Sequence, residues 1–315
     1  MKLPVLSRIP PEVFPSEFSH YLAKKPSGHY KVYKIPKRTF GFRVIAQPTP
    51  ELKRIQRAIV EQMKPYVQVH SSAKAYVEGI NIKDNASVHV KSSYLLKLDL
   101  ENFFNSLTPF MFLSALNYQE IELINKDVEP LMELLFWNRT KKKNPNLVLS
   151  VGAPSSPFLS NFIMYEFDKV VTSHCTKLHI NYSRYADDLT FSTSEKNVLF
   201  TIPKFIESTL RDLFDRKIKL NHAKSFFSSK AHNRHVTGIT LSNNNKLSLG
   251  RDRKRYIRAL LHKFSIQSLE NEEDINHLKG LVGFAKMVEP SFLDKMKIRY
   301  GEKVFIDLFR CGGGN

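Results

Sequence analysis

Asp187 and Asp188 stand side by side in INYSRYADDLTFS, residues 180–192. Tyr182 and Tyr185 precede them, and Leu189 and Phe191 follow. The pattern is that of two short strands folded back across Ala186-Asp187-Asp188 with one face buried. Adjacent carboxylates at such a tip repel each other. A divalent cation such as Mg²⁺ would relieve the repulsion, because it takes hard carboxylate oxygens and keeps positions open for substrate phosphates. A solvated Asp-Asp turn fits the same letters, since aspartate is common in turns. A third carboxylate shifts the balance. Asp99 ends the apolar part of YLLKLDLENFF, residues 94–104, a run that looks like a strand buried on both faces. An ionised carboxylate there is costly without a partner, unless it merely caps the next helix. Brought together, the three carboxylates would hold two metals ~3.5–4 Å apart, one activating an attacking hydroxyl and one supporting a leaving phosphate oxygen.

The elements that must position these acids are readable in outline. Residues 32–48, VYKIPKRTFGFRVIAQP, alternate around Thr39-Phe40-Gly41 and predict a hairpin. Lys31, Lys34, Lys37, Arg38 and Arg43 make it either a basic flap or a solvated strand pair. Thr49-Pro50 and Thr108-Pro109 each open a helix, the first with Ile55, Ile59 and Met63 as its apolar stripe. Phe14, Phe18, Tyr21 and Leu22 fit one face of a short helix, and 128–137 another helix. Residues 76–90 look polar and turn-like. Gly152-Ala153-Pro154-Ser155-Ser156-Pro157 is a turn leading into a helix from Phe158 to about Val171, whose N-terminus favours phosphate. Residues 203–218 predict an amphipathic helix that backs the sheet, and 235–250 a hairpin turning at Asn243-Asn244-Asn245. From Arg251 onward the composition becomes helical and basic, with Tyr256, Leu260, Leu261 and Phe264 facing inward and helices over 274–288 and after Pro290. Cys311 to Asn315 reads as a flexible end.

Composition bounds the partners. The 315 residues carry 48 Lys+Arg against 30 Asp+Glu, a net charge of +18, which favours a polyanion, nucleic acid before membrane. No run approaches the ~18 apolar residues of a spanning helix. Cys175 and Cys311 form neither a disulfide framework nor a zinc pattern. Met1-Lys2-Leu3-Pro4 opens no secretory h-region, so a cytoplasmic protein is expected.

Tyr185-Ala186-Asp187-Asp188 resembles the YxDD signature of reverse transcriptases, and Asp99 with Phe103-Phe104 resembles that family's first catalytic motif. Gly152 to Pro157 with Leu159-Ser160-Asn161 is similar to its third, although Val151 stands where the family commonly has glutamine. Asn85-Ala86-Ser87-Val88-His89 and Val236-Thr237-Gly238 resemble the NAxxH and VTG elements of bacterial retron reverse transcriptases.

The resemblance implies an α/β (α+β) right-hand polymerase. Fingers and a palm with an antiparallel sheet backed by helices would span residues 1–240, and a basic helical thumb 241–315. It implies RNA-directed DNA synthesis with two Mg²⁺ held by Asp99, Asp187 and Asp188, with the Leu100 backbone carbonyl as a further ligand. Arg43 and Lys37 would clamp the dNTP triphosphate, Phe103 would exclude a 2′-hydroxyl, and Gly152 and Ser156 would lie against template or nucleotide. Lys224, in Leu220-Asn221-His222-Ala223-Lys224, would lie near the triphosphate; a plain surface lysine fits equally. The resemblance further implies a structured cognate RNA as template and primer, a branched RNA-linked DNA product (msDNA), and a role against bacteriophage with a separate effector protein. A group II intron-like reverse transcriptase and a catalytically idle RNA-binding scaffold are the alternatives.

Overall fold

The computed structural model describes residues 1–36, 41–140 and 145–310. Lys37, Arg38, Thr39 and Phe40, the basic run Lys141-Lys142-Lys143 with Asn144, and Cys311 to Asn315 lie outside the described residues. The chain divides into two compact units. The first comprises Met1–Ile80, Leu96–Phe191 and Lys196–Phe226, and the second Asn81–Leu95, Ser192–Glu195 and Phe227–Asn315.

In the first unit the expected flap is an antiparallel pair, Tyr30–Pro36 with Phe42–Pro48, in register from Tyr30 opposite Pro48 to Pro36 opposite Phe42. The helix Pro50–Met63 follows, with Leu52 N–H donating to the Thr49 hydroxyl at 3.4 Å. Its stripe of Leu52, Ile55, Ile59 and Met63 is wholly buried, as a 3.6-residue period requires of a helix laid on a core. Thr108 caps Pro109–Tyr118 in the same way. Phe112 anchors that region, its ring 6.0 Å from Phe136 and 5.8 Å from Phe162.

Two helices differ from the sequence reading. The one expected from Phe158 to Val171 is two, Ser156–Ile163 and Tyr165–Lys177, because Met164 leaves the helical region at ψ 3°. Apolar periodicity runs through the break, so the letters do not mark it. The one expected over 128–137 is Asn125–Leu135. Trp137 instead pairs with Val148 in a short antiparallel ladder. The amphipathic helix expected over 203–218 is Ile202–Phe214, with the Phe214 ring 6.3 Å from Phe167 of the helix Tyr165–Lys177. It ends where Asp215 and Arg216 take φ of 47° and 59°.

A four-stranded sheet has the order Phe226–Ser229, Tyr94–Asp99, Asp188–Thr193, Asn181–Tyr185. The last two are the predicted hairpin. Leu96, Leu98, Leu189 and Phe191 are all at most 1% exposed, each pair spaced by two as a buried strand face requires.

The second unit holds the largest departures. Residues 81–90 are not a loop: Ile82–Ser87 is a helix opened by a reciprocal capping box between Asn81 and Asp84. Asn85 is completely buried and donates to the Thr237 hydroxyl at 3.5 Å, which itself donates to the Ile82 carbonyl at 3.1 Å. The His89 ring lies 2.8 Å from the Ser192 hydroxyl. The two short motifs are therefore one hydrogen-bonded structure. Residues 235–250 make two turns rather than one. Arg234–Val236, Ile239–Leu241 and Leu247–Ser248 form an antiparallel meander. Its first bend is Thr237-Gly238, at φ 45° and 80°, the positive pair a tight hairpin demands. Four helices follow, Arg251–Ser265, Glu272–Val288, Pro290–Tyr300 and Glu302–Arg310. Ile257, not Tyr256, joins Leu260 and Leu261 in their core; Tyr256 is 49% exposed. No described helix is long and apolar enough to cross a membrane.

Candidate active site

The acids meet through backbone pairing. Asp99 ends its strand and is 7% exposed. The next residue, Leu100, donates its N–H to the Asp187 carbonyl at 3.0 Å, so the strand end and the hairpin tip are neighbours. On the other side Leu100 bridges Leu220, and Asn221 N–H donates to the Asp99 carbonyl at 2.8 Å. This delivers Lys224, whose Nζ donates to Asp99 Oδ2 at 2.8 Å, with Asn221 Nδ2 at 3.4 Å from Oδ1. Lys224 is thus not a plain surface lysine, although its side chain is 60% exposed and an ion pair that wet adds little to stability.

Burial pushes the Asp187 carboxyl up, and the Asp99 charge adds to it, while Lys224 and Arg43 oppose. Asp188 is pushed from 3.8 to about 6, by burial first and then by the Asp187 charge, with Lys97 opposing. Hydrogen bonding to Asp99, with the surrounding carboxylates, holds the Lys224 ammonium above its ordinary value. Asp187 and Asp188 thus sit in one electrostatic cluster with Asp99 and the lysine that pairs with it.

No three His, Cys, Asp or Glu side chains among the described residues form a ready-made metal cage. The donor chemistry still fits a hard divalent cation, since buried carboxylates that lie close together are what such an ion neutralises. A pH dependence follows. Asp188 binds its proton more tightly in the folded chain than in the unfolded one. Its contribution is therefore greatest at low pH and is lost as pH rises through about 6. In metal-free buffer the stability advantage of wild type over Asp188→Asn should shrink from pH 5 to pH 7.5, and Mg²⁺ should restore it at the higher pH. Urea midpoints measure this; an advantage growing with pH without metal would contradict it.

Arg43 is exposed on Phe42–Pro48, near enough for its charge to act on Asp187. Lys37 lies outside the described residues. Phe103 opens the helix Phe103–Ser106 and is 3% exposed, its ring 5.4 Å from Phe104. Ser156 is buried, and its hydroxyl has no hydrogen-bond partner among the described residues.

Gly152, at φ 120°, packs against the chain itself. A Cβ there would lie 3.2 Å from both the Ala46 carbonyl oxygen and Ile45 Cγ2. Gly152→Ala should cost about 1–3 kcal/mol, from the strained backbone together with the contact. Thermal unfolding reads the loss, and wild-type stability would contradict the assignment.

Sequence reasoning missed Tyr76, at φ 61°. Its phenol is raised by burial and then by the charges of Asp187 and Tyr185, with Arg43 opposing, so it borders the site. Nothing in the polar stretch around it signals this. The reading also missed the buried Arg184–Asp168 pair, although arginine inside an apolar strand is itself a signal.

The family profile described as Reverse transcriptase (RNA-dependent DNA polymerase) matches residues 35–241. The chain is 54% identical over 298 residues to the Retron Ec83 reverse transcriptase of Escherichia coli, covering 95% of each protein. The chain belongs to the bacterial retron reverse transcriptases. A second relative, the Retron Ec73 reverse transcriptase of Escherichia coli, is 29% identical over 87% of this chain and 88% of its own length. The Retron Mx65 reverse transcriptase of Myxococcus xanthus is 29% identical over 89% of this chain and 67% of its own. Among solved structures, Candida tropicalis telomerase with a TWJ fragment of telomeric RNA superimposes at TM-score 0.50 and 14% identity. That match covers 88% of this chain and 57% of the telomerase, so the chain spans little over half its length. The fold is the right-hand polymerase fold. As a retron reverse transcriptase the protein is an RNA-directed DNA polymerase, and the group II intron-like alternative gives way.

Proposed function

We propose that this reverse transcriptase copies a structured cognate RNA into DNA primed from that RNA's own 2′-hydroxyl, leaving a branched RNA-linked single strand (msDNA). Similarity to retron reverse transcriptases along nearly the whole chain supports the reading. The observation that carries the chemistry is the pairing of Leu100 with Asp187, which sets Asp99 and Asp187 side by side. Asp99, Asp187 and Asp188, with the Leu100 carbonyl, hold divalent cations, best Mg²⁺. When bound, these ions lower the pKa of the attacking hydroxyl and neutralise the triphosphate. Lys224 holds a proton 2.8 Å from Asp99 and supplies it to departing pyrophosphate. Arg43, with Lys37, pairs with triphosphate oxygens through its planar fork. Phe103 forms the floor that excludes a 2′-hydroxyl, and the turn from Gly152 to Ser156 borders the nucleotide through its exposed Gly152, Ser156 being buried within it.

Residues 1–240 serve as fingers and palm, and 241–315 as the thumb on the RNA–DNA duplex. Not every basic residue of Arg251–Ser265 is available for phosphate: Lys254 pairs with Glu289 at 2.6 Å, and Arg253 donates to the Gly238 carbonyl. The protein acts in the cytoplasm with a separate effector, in defence against bacteriophage.

The experiment incubates the protein, its cognate RNA, dNTPs and Mg²⁺, then treats the product with ribonuclease and a 2′,5′-debranching enzyme. DNA that shifts in mobility only after debranching is expected. DNA carrying no branch would refute the self-priming reading.

A further inference from the structure

Behind the Ala186-Asp187 bend lies a buried ionic network that the chemistry above leaves unused. The side chains of Arg184 and Asp168 are both 0% exposed, and Arg184 Nη2 lies 2.6 Å from Asp168 Oδ2. Arg184 Nε donates to Asp168 Oδ1 at 2.9 Å, and the Tyr182 hydroxyl donates to that oxygen at 2.8 Å. Nη1 points the other way, donating to Asn161 Oδ1 at 3.1 Å and to the Ala186 carbonyl at 3.2 Å. Asn161 is itself fixed, its Nδ2 donating to the Ala75 carbonyl at 2.7 Å. The Arg184 backbone is held as well: its N–H donates to the Ser72 carbonyl at 2.8 Å, and its carbonyl accepts from Lys74 N–H at 2.8 Å.

One guanidinium thus ties two helices to the carbonyl immediately before Asp187. That carbonyl belongs to Ala186, at φ 57°, a left-handed conformation that alanine keeps only where its surroundings over-determine it. A buried ion pair is a weak source of stability, since apolar residues of the same volume often serve as well. What apolar residues lack is direction: the planar fork fixes where each donor points.

We propose that Arg184 is a positioning residue for DNA synthesis, aimed by Asp168 and Asn161 so that it holds the Ala186 carbonyl and sets the backbone presenting Asp187. The inference rests on the reading of Asp187 as a metal-holding carboxylate. A lysine keeps the charge opposite Asp168 but cannot also span to Asn161 and Ala186.

The test compares wild type with Arg184→Lys, with the double variant Arg184→Met/Asp168→Leu, which removes both buried charges, and with Asp187→Ala. Single-nucleotide extension separates kcat from KM, amide exchange followed by mass spectrometry reports on residues 185–189, and filter binding measures template RNA affinity. Both Arg184 variants should melt cooperatively, bind RNA like wild type and exchange the bend amides faster. Their kcat should fall on the order of 10²-fold with KM little changed, as for a misplaced catalytic group. A purely structural role would lower the melting temperature but leave kcat per folded molecule and bend exchange unchanged. Folded Arg184 variants with wild-type kcat beside an inactive Asp187→Ala would overturn this inference alone. Synthesis by Asp187→Ala would overturn the reading beneath it as well.

Discussion

Replacing Asp187 with alanine should reduce RNA-templated DNA synthesis about 10³-fold or more while leaving RNA affinity within a few-fold of wild type. The size follows from removing preorganised charge where phosphate charge develops, an effect of about 10²–10³ even for a single neutral donor. Asp187 faces Asp99 across the Leu100 hydrogen bond, and burial together with Asp99 raises its carboxyl. The remaining acids would therefore repel less but would grip a cation less well. RNA binding comes instead from the excess of 48 Lys+Arg over 30 Asp+Glu, through phosphate contacts that losing an acid does not weaken. Primer extension and filter binding on one preparation separate the two effects. Extension at the wild-type rate would remove Asp187 from the mechanism.

Asp168→Ala should be the most damaging single change to stability away from the acids. It strands a guanidinium that is wholly buried against Asp168 and takes the acceptor from the Tyr182 hydroxyl. Breaking one side of such a pair costs about 3–5 kcal/mol, against a total of about 5–15 kcal/mol for a domain. A urea titration should show the loss, and adding Arg184→Met should recover part of it by removing the orphaned charge. A loss below about 1 kcal/mol for Asp168→Ala would contradict the geometry.

The parts of the molecule legible in its letters were those with local causes. Thr49-Pro50 and Thr108-Pro109 announce helices because capping is a matter of a few adjacent residues. The Ala186-Asp187 bend is legible because its strands alternate on both sides. What stayed hidden depends on distant partners. The 81–87 helix has few apolar residues of its own, and its Asn85 is satisfied by Thr237, 152 positions away. Only the folded chain shows why glutamine's usual neighbour must be Gly152: a strand backbone occupies the space of a Cβ. The letters around Lys224 fit a lysine near the triphosphate and a surface lysine equally, and only the fold brings Asp99, 125 positions away, to its tip. Arg184 stands in plain view within residues 180–192, but its role requires Asp168 and Asn161 from two helices that the sequence reads as one.

A cation gripped jointly by Asp99 and Asp187 during DNA synthesis is the proposal on which the other roles in the site depend. The most direct measurement is anomalous diffraction from crystals of the protein with primer–template, a non-hydrolysable dNTP analogue and Mn²⁺. The expected result is a manganese peak bonded to carboxylate oxygens of both Asp99 and Asp187, with Lys224 displaced from Asp99 toward the triphosphate. Bound nucleotide with no peak between the two carboxylates, and Lys224 still paired with Asp99, would contradict it.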